Sequence, residues 1–271
     1  MIKDVSIGRY YQADSVIHRL DPRVKVFLFI VYMVTFFMVD TAIAMITAFA
    51  VILYLTFLSR IPVMEVLKSV RPIVFIMLFI FVLNLFTIRT GEELWSWWIL
   101  KITDEGLRRA IMLSFRLFLL ILVTGLLLSL TTTPLKLADA LESLGAPLKV
   151  IHVPVNEMAM TISIALRFIP TLVEETDKIM KAQSSRGAEY DTGNVFQRAK
   201  GYVTVLVPLF VSAFKRAEEL ATAMDARCYR GGVGKTKLHP LRMTKADYLW
   251  MVLLTATAFL PILVDLLWKI K

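Results

Sequence analysis

The chain has 271 residues, 57% of them apolar and 20% charged, with a mean hydropathy of +0.67 and a formal net charge of +9. Those proportions exclude a disordered chain, a collagen-like repeat and an ordinary soluble enzyme, because the apolar residues gather in runs longer than a soluble core of this size uses. The single cysteine, Cys228, excludes a disulfide framework and a cysteine metal cage, and His18, His152 and His239 are too scattered to suggest a ligand pair.

The first twenty-five residues hold no apolar h-region, so no cleavable signal is expected. Residues 26–58 are almost wholly apolar and are interrupted only at Asp40 and Thr41. One helix over that run would be about 50 Å long against a hydrocarbon core of about 30 Å, so two short spans with a turn at Asp40 are expected. The first should begin at Asp21-Pro22, an N-cap followed by proline at the first helical position, with Arg23 and Lys25 snorkelling to the interface. A third span is predicted over 73–88, a fourth over 110–130, and a last over 248–268 with Trp250 and Trp268 as interfacial anchors. The fold class is therefore an all-α integral membrane protein with about five spans.

In such a protein basic residues report topology before they report nucleic acid, and no nucleic-acid partner is expected. Lys3, Arg9, Arg19, Arg23 and Lys25 precede the first span, and Arg60, Lys68 and Arg71 follow the second against Glu65 alone. Both segments read as cytoplasmic. The Asp40 turn and residues 89–109, with Trp95, Trp97 and Trp98 as an aromatic belt, then lie outside. An odd number of crossings places the C-terminus outside as well, where Lys269 and Lys271 fit the charge rule poorly. Arg116 lies about two turns inside the fourth span and is read as snorkelling to the interface, with contact to a partner as the other reading. Asn84 is expected to bond across helices, and Asp265 to stay wet near its helix end.

The chain thus divides into an arm and four spans (1–130), a charged middle region (131–247) and a last span (248–271). A short helix is predicted from Thr133-Pro134 to Gly145-Ala146-Pro147. In 155–185, Met158, Ile162, Ala165, Ile169, Leu172, Thr176 and Ile179 form one helical stripe. In 195–227 the stripe is Ala199, Val203, Leu206, Phe210, Phe214, Ala217, Ala221 and Met224. Both read as amphipathic helices roughly 45 Å long, and the three helices together as a cytoplasmic platform at the membrane surface. Helices packed only on each other would give the same stripes. Pro170 and Pro208 should kink the two long helices.

Those helices end alike, in Ala182-Gln183-Ser184-Ser185-Arg186-Gly187 and in Ala223-Met224-Asp225-Ala226-Arg227-Cys228, offset by 41 residues. An arginine in a last turn beside small residues presents a planar fork to a carboxylate while another backbone approaches closely. The macrodipole alone also favours arginine at a helix C-terminus. Two copies point further, to two similar sockets on a dimeric or pseudo-dimeric partner. Gly231-Gly232-Val233-Gly234-Lys235-Thr236 imitates a phosphate loop, but Tyr229 stands where that pattern needs glycine, and a helix precedes it instead of a strand.

The run Val207-Pro208-Leu209-Phe210-Val211-Ser212-Ala213-Phe214-Lys215-Arg216-Ala217-Glu218-Glu219-Leu220-Ala221-Thr222-Ala223-Met224-Asp225-Ala226-Arg227, with Leu20-Asp21-Pro22-Arg23-Val24-Lys25, resembles the transmembrane T-component of energy-coupling factor importers (the EcfT, CbiQ-like family). The layout is similar over nearly the whole chain, and the two Ala-Arg-Gly motifs are imperfect here, as Ser185-Arg186-Gly187 and Ala226-Arg227-Cys228. The resemblance implies a non-catalytic coupling subunit in a prokaryotic plasma membrane, with no cofactor or metal of its own. It implies that Ser185, Arg186 and Gly187 dock into one cytoplasmic ABC ATPase and Ala226, Arg227 and Cys228 into a second, with ATP bound by those partners. The same likeness implies a small membrane S-component that captures a vitamin or metal ion and touches the apolar stripes. Two alternatives stay open: an integral membrane enzyme of the lipid or prenyl transferase type, with Glu174, Glu175 and Asp177 as its nearest magnesium carboxylates, and a self-contained substrate-binding permease.

Overall fold

The computed structural model describes residues 10–87, 90, 93–97, 100–188, 194–231 and 240–270. The described residues form two compact units, one over 141–240 and the other joining 10–140 with 241–270.

The second of these holds the predicted spans. α1 (Val16–Arg19) leads into α2 (Pro22–Met38), where the Asp21 carboxylate accepts from the Arg23 amide at 2.9 Å and Pro22 opens the helix. After the turn at Asp40 come α3 (Ala42–Ser59), the short α4 (Val63–Lys68) and a 3-10 turn that feeds α5 (Val74–Thr87). α6 (Asp104–Thr124) continues as a π-helical segment (Gly125–Leu130) and gives way to α7 (Pro134–Leu144), while α10 (Lys245–Ile270) returns to close the unit. Among the described residues four apolar runs are long enough to cross a membrane: Ala42–Ser59, Val63–Thr87, Asp104–Leu130 and Lys245–Ile270. α2, at 17 residues, is one short of the shortest of them and is the central helix. Its residues Val24, Leu28, Tyr32 and Phe36, each four apart, are buried against Ile52 and Leu55 of α3, Leu119 and Leu122 of α6, and Leu254 and Ala258 of α10.

Lipid is as apolar as leucine, so polar contacts and close approach must select the partners within this unit. The Tyr32 hydroxyl donates to the Leu254 carbonyl at 2.9 Å and meets Thr257 Oγ1 at 2.7 Å. Asn84 does not reach across helices as expected, because its amide donates to Ile80 O one turn back in α5. α6 starts six residues before the expected position, since Thr103 caps it by accepting from the Gly106 amide. Ahead of it β1 (Glu93–Trp97) pairs antiparallel with β2 (Leu100–Thr103), with Trp95 opposite Ile102. An aromatic, β-prone run explains a hairpin where the sequence suggested only an interfacial belt, whose Trp98 lies outside the described residues.

Polar networks tie both ends of this helical unit. At one end Lys25, only 2% exposed, donates to Thr131 O at the C-terminus of the π-helical segment and to His18 O, at 2.7 and 3.3 Å. Beside it Asp247, at the start of α10, accepts from the Asp21 amide and from Thr244. At the other end Asp265 is 4% exposed and accepts from the Thr41 amide at 2.8 Å and from the Thr41 hydroxyl, so it caps α3 instead of staying wet. Lys269 pairs with Asp265 and with Asp40, at 2.7 and 3.6 Å. The end of α10 therefore lies beside the Asp40 turn. Arg116 reaches that turn too, donating to Val39 O and to Asp40 at 3.0 Å. Its long stem carries the charge toward the helix ends, as snorkelling requires.

Candidate functional site

The other unit holds two long helices, α8 (Val155–Ser185) and α9 (Val195–Ala226), of 31 and 32 residues. Each is about 47 Å long and continues through its proline, Pro170 or Pro208. Their interiors are joined by a charged cluster. The two oxygens of the Glu175 carboxylate accept from the Ser212 hydroxyl and from Arg216, the latter at 2.7 Å. The Ser212 hydrogen bond, followed by the charge of Arg216, holds the Glu175 carboxyl below its ordinary range. Glu175, read from sequence as a candidate metal carboxylate, is thus committed to holding α8 against α9.

The helix ends match residue by residue. In α8 the Gly187 amide donates to Ser184 O and the Ala188 amide to Gln183 O, both at 3.0 Å. In α9 the Cys228 amide donates to Asp225 O at 2.9 Å and the Tyr229 amide to Met224 O at 3.1 Å. This pair of bonds is the Schellman C-cap, with the following residue left-handed: Gly187 at φ +86° and Cys228 at φ +56°. Arg186 and Arg227 occupy the same capping position, so the 41-residue offset in sequence is an equivalence in geometry. Ser185, Arg186, Gly187, Ala226, Arg227 and Cys228 are all exposed, and neither guanidinium has a side-chain partner among the described residues.

The same offset relates Glu175 to Arg216, each eleven residues before its knuckle arginine. The helices therefore touch at equal distances, about 16 Å of helix, from their tips. That offset was the sequence signal available for the ion pair, which residue types alone had not disclosed. Around the tips the charges differ. Exposed Lys178, Lys181 and Ser184 in α8 correspond to exposed Glu219, Thr222 and Asp225 in α9. One backbone device is thus presented twice, with a basic rim and with a neutral-to-acidic one.

The apolar stripe of α9 is not consumed by this packing. Val203, Leu206, Phe210 and Phe214 are exposed, Phe214 at 74%, and Met158 and Ile162 of α8 are exposed as well. Helices packed solely on each other would have covered such a face. The glycine run that imitates a phosphate loop lies, beyond Gly231, outside the described residues.

A family model described as CbiQ, cobalt transport protein, matches residues 13–239. The energy-coupling factor transporter transmembrane protein EcfT of Ruminiclostridium cellulolyticum is 52% identical over 251 residues, 92% of each chain. The protein of that name from Acidaminococcus fermentans is 46% identical over 249 residues, again 92% of each chain. That from Thermosediminibacter oceani is 47% identical over 246 residues, 91% of this chain and 92% of its own.

Proposed function

The chain belongs to the CbiQ/EcfT family of membrane transport proteins, and from that membership we propose that it is the coupling subunit of an energy-coupling factor importer. It joins two cytoplasmic ABC ATPases to a small membrane protein that captures a vitamin or metal ion, and it performs no chemistry itself. The observation that carries this reading is the matched pair of exposed knuckles. Arg186 and Arg227 stand at equivalent positions on two rigid helix ends with no partner among the described residues, and small neighbours flank each. Such tips suit two sockets of one shape on a dimeric ATPase, and their unlike rims suit sockets of unlike charge.

In this reading the knuckles, the Lys25 end of the spans and the N-terminal arm are cytoplasmic, as the basic loops require. ATP-driven closure of the two ATPases moves the tips relative to each other. Because Glu175 clamps α8 to α9 at equal distance from both, motion at the tips is passed along stiff helices and is not dissipated in side chains. The exposed α9 stripe gives the capture protein an apolar surface to slide on. Of the carboxylates nearest to a membrane-enzyme reading, Glu174, Glu175 and Asp177, Glu175 is held by Ser212 and Arg216, and this favours coupling over catalysis.

The sole cysteine supplies the test. In membranes containing the partner subunits, a short thiol-to-amine cross-linker on Cys228 is expected to capture an ATPase. In Gly187→Cys with Cys228→Gly the thiol moves to the first knuckle and should capture the other ATPase position. Cys228→Gly alone is expected to keep uptake and to be as stable as the parent or about 1 kcal/mol more stable, since glycine removes a non-glycine residue from the left-handed region. Cross-links to neither ATPase from either knuckle would sink the docking assignment.

A further inference from the structure

At the Asp40 end of the helices, one face of α6 opens as a cleft of about 330 Å³ lined by Asp40, Glu105, Arg108, Arg109, Met112 and Arg116. Among the described residues that line it cations outnumber anions, with arginines at 108, 109 and 116 against carboxylates at 40 and 105. Asp40 is engaged by Arg116 and Lys269, and Glu105 by Arg109. Arg108 is exposed and donates to no described residue. Arg116 is only 17% exposed, and its Nε is buried without an acceptor. The described lining therefore carries one net positive charge and unused guanidinium donors, beside the first turn of a long helix whose N-terminus also favours an anion.

The wall has a second character. One turn further along α6 from Arg108 and Arg109, Met112 and the half-exposed Leu113 line the cleft, with exposed Ile111 alongside. Charge near the helix end with apolar surface directly below it is the profile of a phospholipid, not of a soluble anion. We propose that this cleft binds the phosphate of an anionic lipid, with Arg108 as the principal ligand, Arg109 and Arg116 flanking it, and an acyl chain along Met112 and Leu113. A free phosphate would share the guanidinium contacts but would gain nothing from the apolar wall.

The full-length chain, delipidated in mild detergent, is offered phosphatidylglycerol, phosphatidylcholine or inorganic phosphate, and retained ligand is counted by native mass spectrometry. Phosphatidylglycerol is expected to be retained roughly tenfold over phosphatidylcholine, and Arg108→Gln should erase that preference, because it removes a charge-assisted phosphate contact. Arg108 is exposed and its side chain makes no hydrogen bond to a described residue, so the variant should fold normally. Glu105→Gln, which removes a negative charge and frees Arg109, should strengthen retention. Equal retention of the two lipids, a preference untouched by Arg108→Gln, or phosphate retained as well as the anionic lipid would each overturn the assignment.

Discussion

Reversing both knuckle arginines, Arg186→Glu with Arg227→Glu, is expected to release the ATPases and abolish uptake while leaving the chain inserted and folded. Both side chains are exposed and make no side-chain hydrogen bond or ion pair within the described residues, so their loss should cost the fold little. The C-caps are backbone bonds of the residues around the arginines and need no guanidinium. In the proposed docking, however, each arginine would meet a carboxylate out of water. Replacing it with a like charge should cost about 2–5 kcal/mol per knuckle, enough for a thirtyfold or greater loss at each. Single reversals should weaken assembly and the double should end it. Co-purification and uptake in the double variant at the parent's level would show that the knuckles are not the docking groups.

Asp265→Ala is expected to destabilise the membrane unit by about 2–4 kcal/mol, seen as earlier thermal unfolding in detergent. The carboxylate caps α3 through Thr41 and neutralises Lys269, which itself shares Asp40 with Arg116. Its removal leaves the first turn of α3 without its side-chain cap and loosens the contact between α3 and α10. Asp265→Asn should recover part of the loss, since an amide oxygen can still accept from the Thr41 backbone but cannot pair with Lys269. Unfolding of the alanine variant at the parent's temperature would mean that the buried network contributes no net stability.

Asp265 also marks where sequence reading stops. One acid near the end of an apolar helix looks solvated, and what buries it is Thr41, 224 residues earlier in the chain. Arg116 was legible as a group that must escape the bilayer, but its destination at Asp40 was not. Local signals did better. Asp21-Pro22 opens α2 as an N-cap and proline should, and the periodicity of residues 155–185 returned α8 with the predicted bounds. The knuckles were visible because their information is local too, a backbone cap spelled by a few consecutive residues. The Glu175–Arg216 pair fell between these cases: the 41-residue offset contained it, but only contact between α8 and α9 gave that offset a physical meaning.

The most direct measurement is purification of the tagged chain from its own membranes in mild detergent, with mass spectrometry of the proteins that accompany it. The coupling account predicts two ATPase subunits, or two copies of one, in near-equal amounts with a small hydrophobic membrane protein. A chain that emerges alone, under conditions in which other membrane complexes of the same cells stay intact, would contradict it.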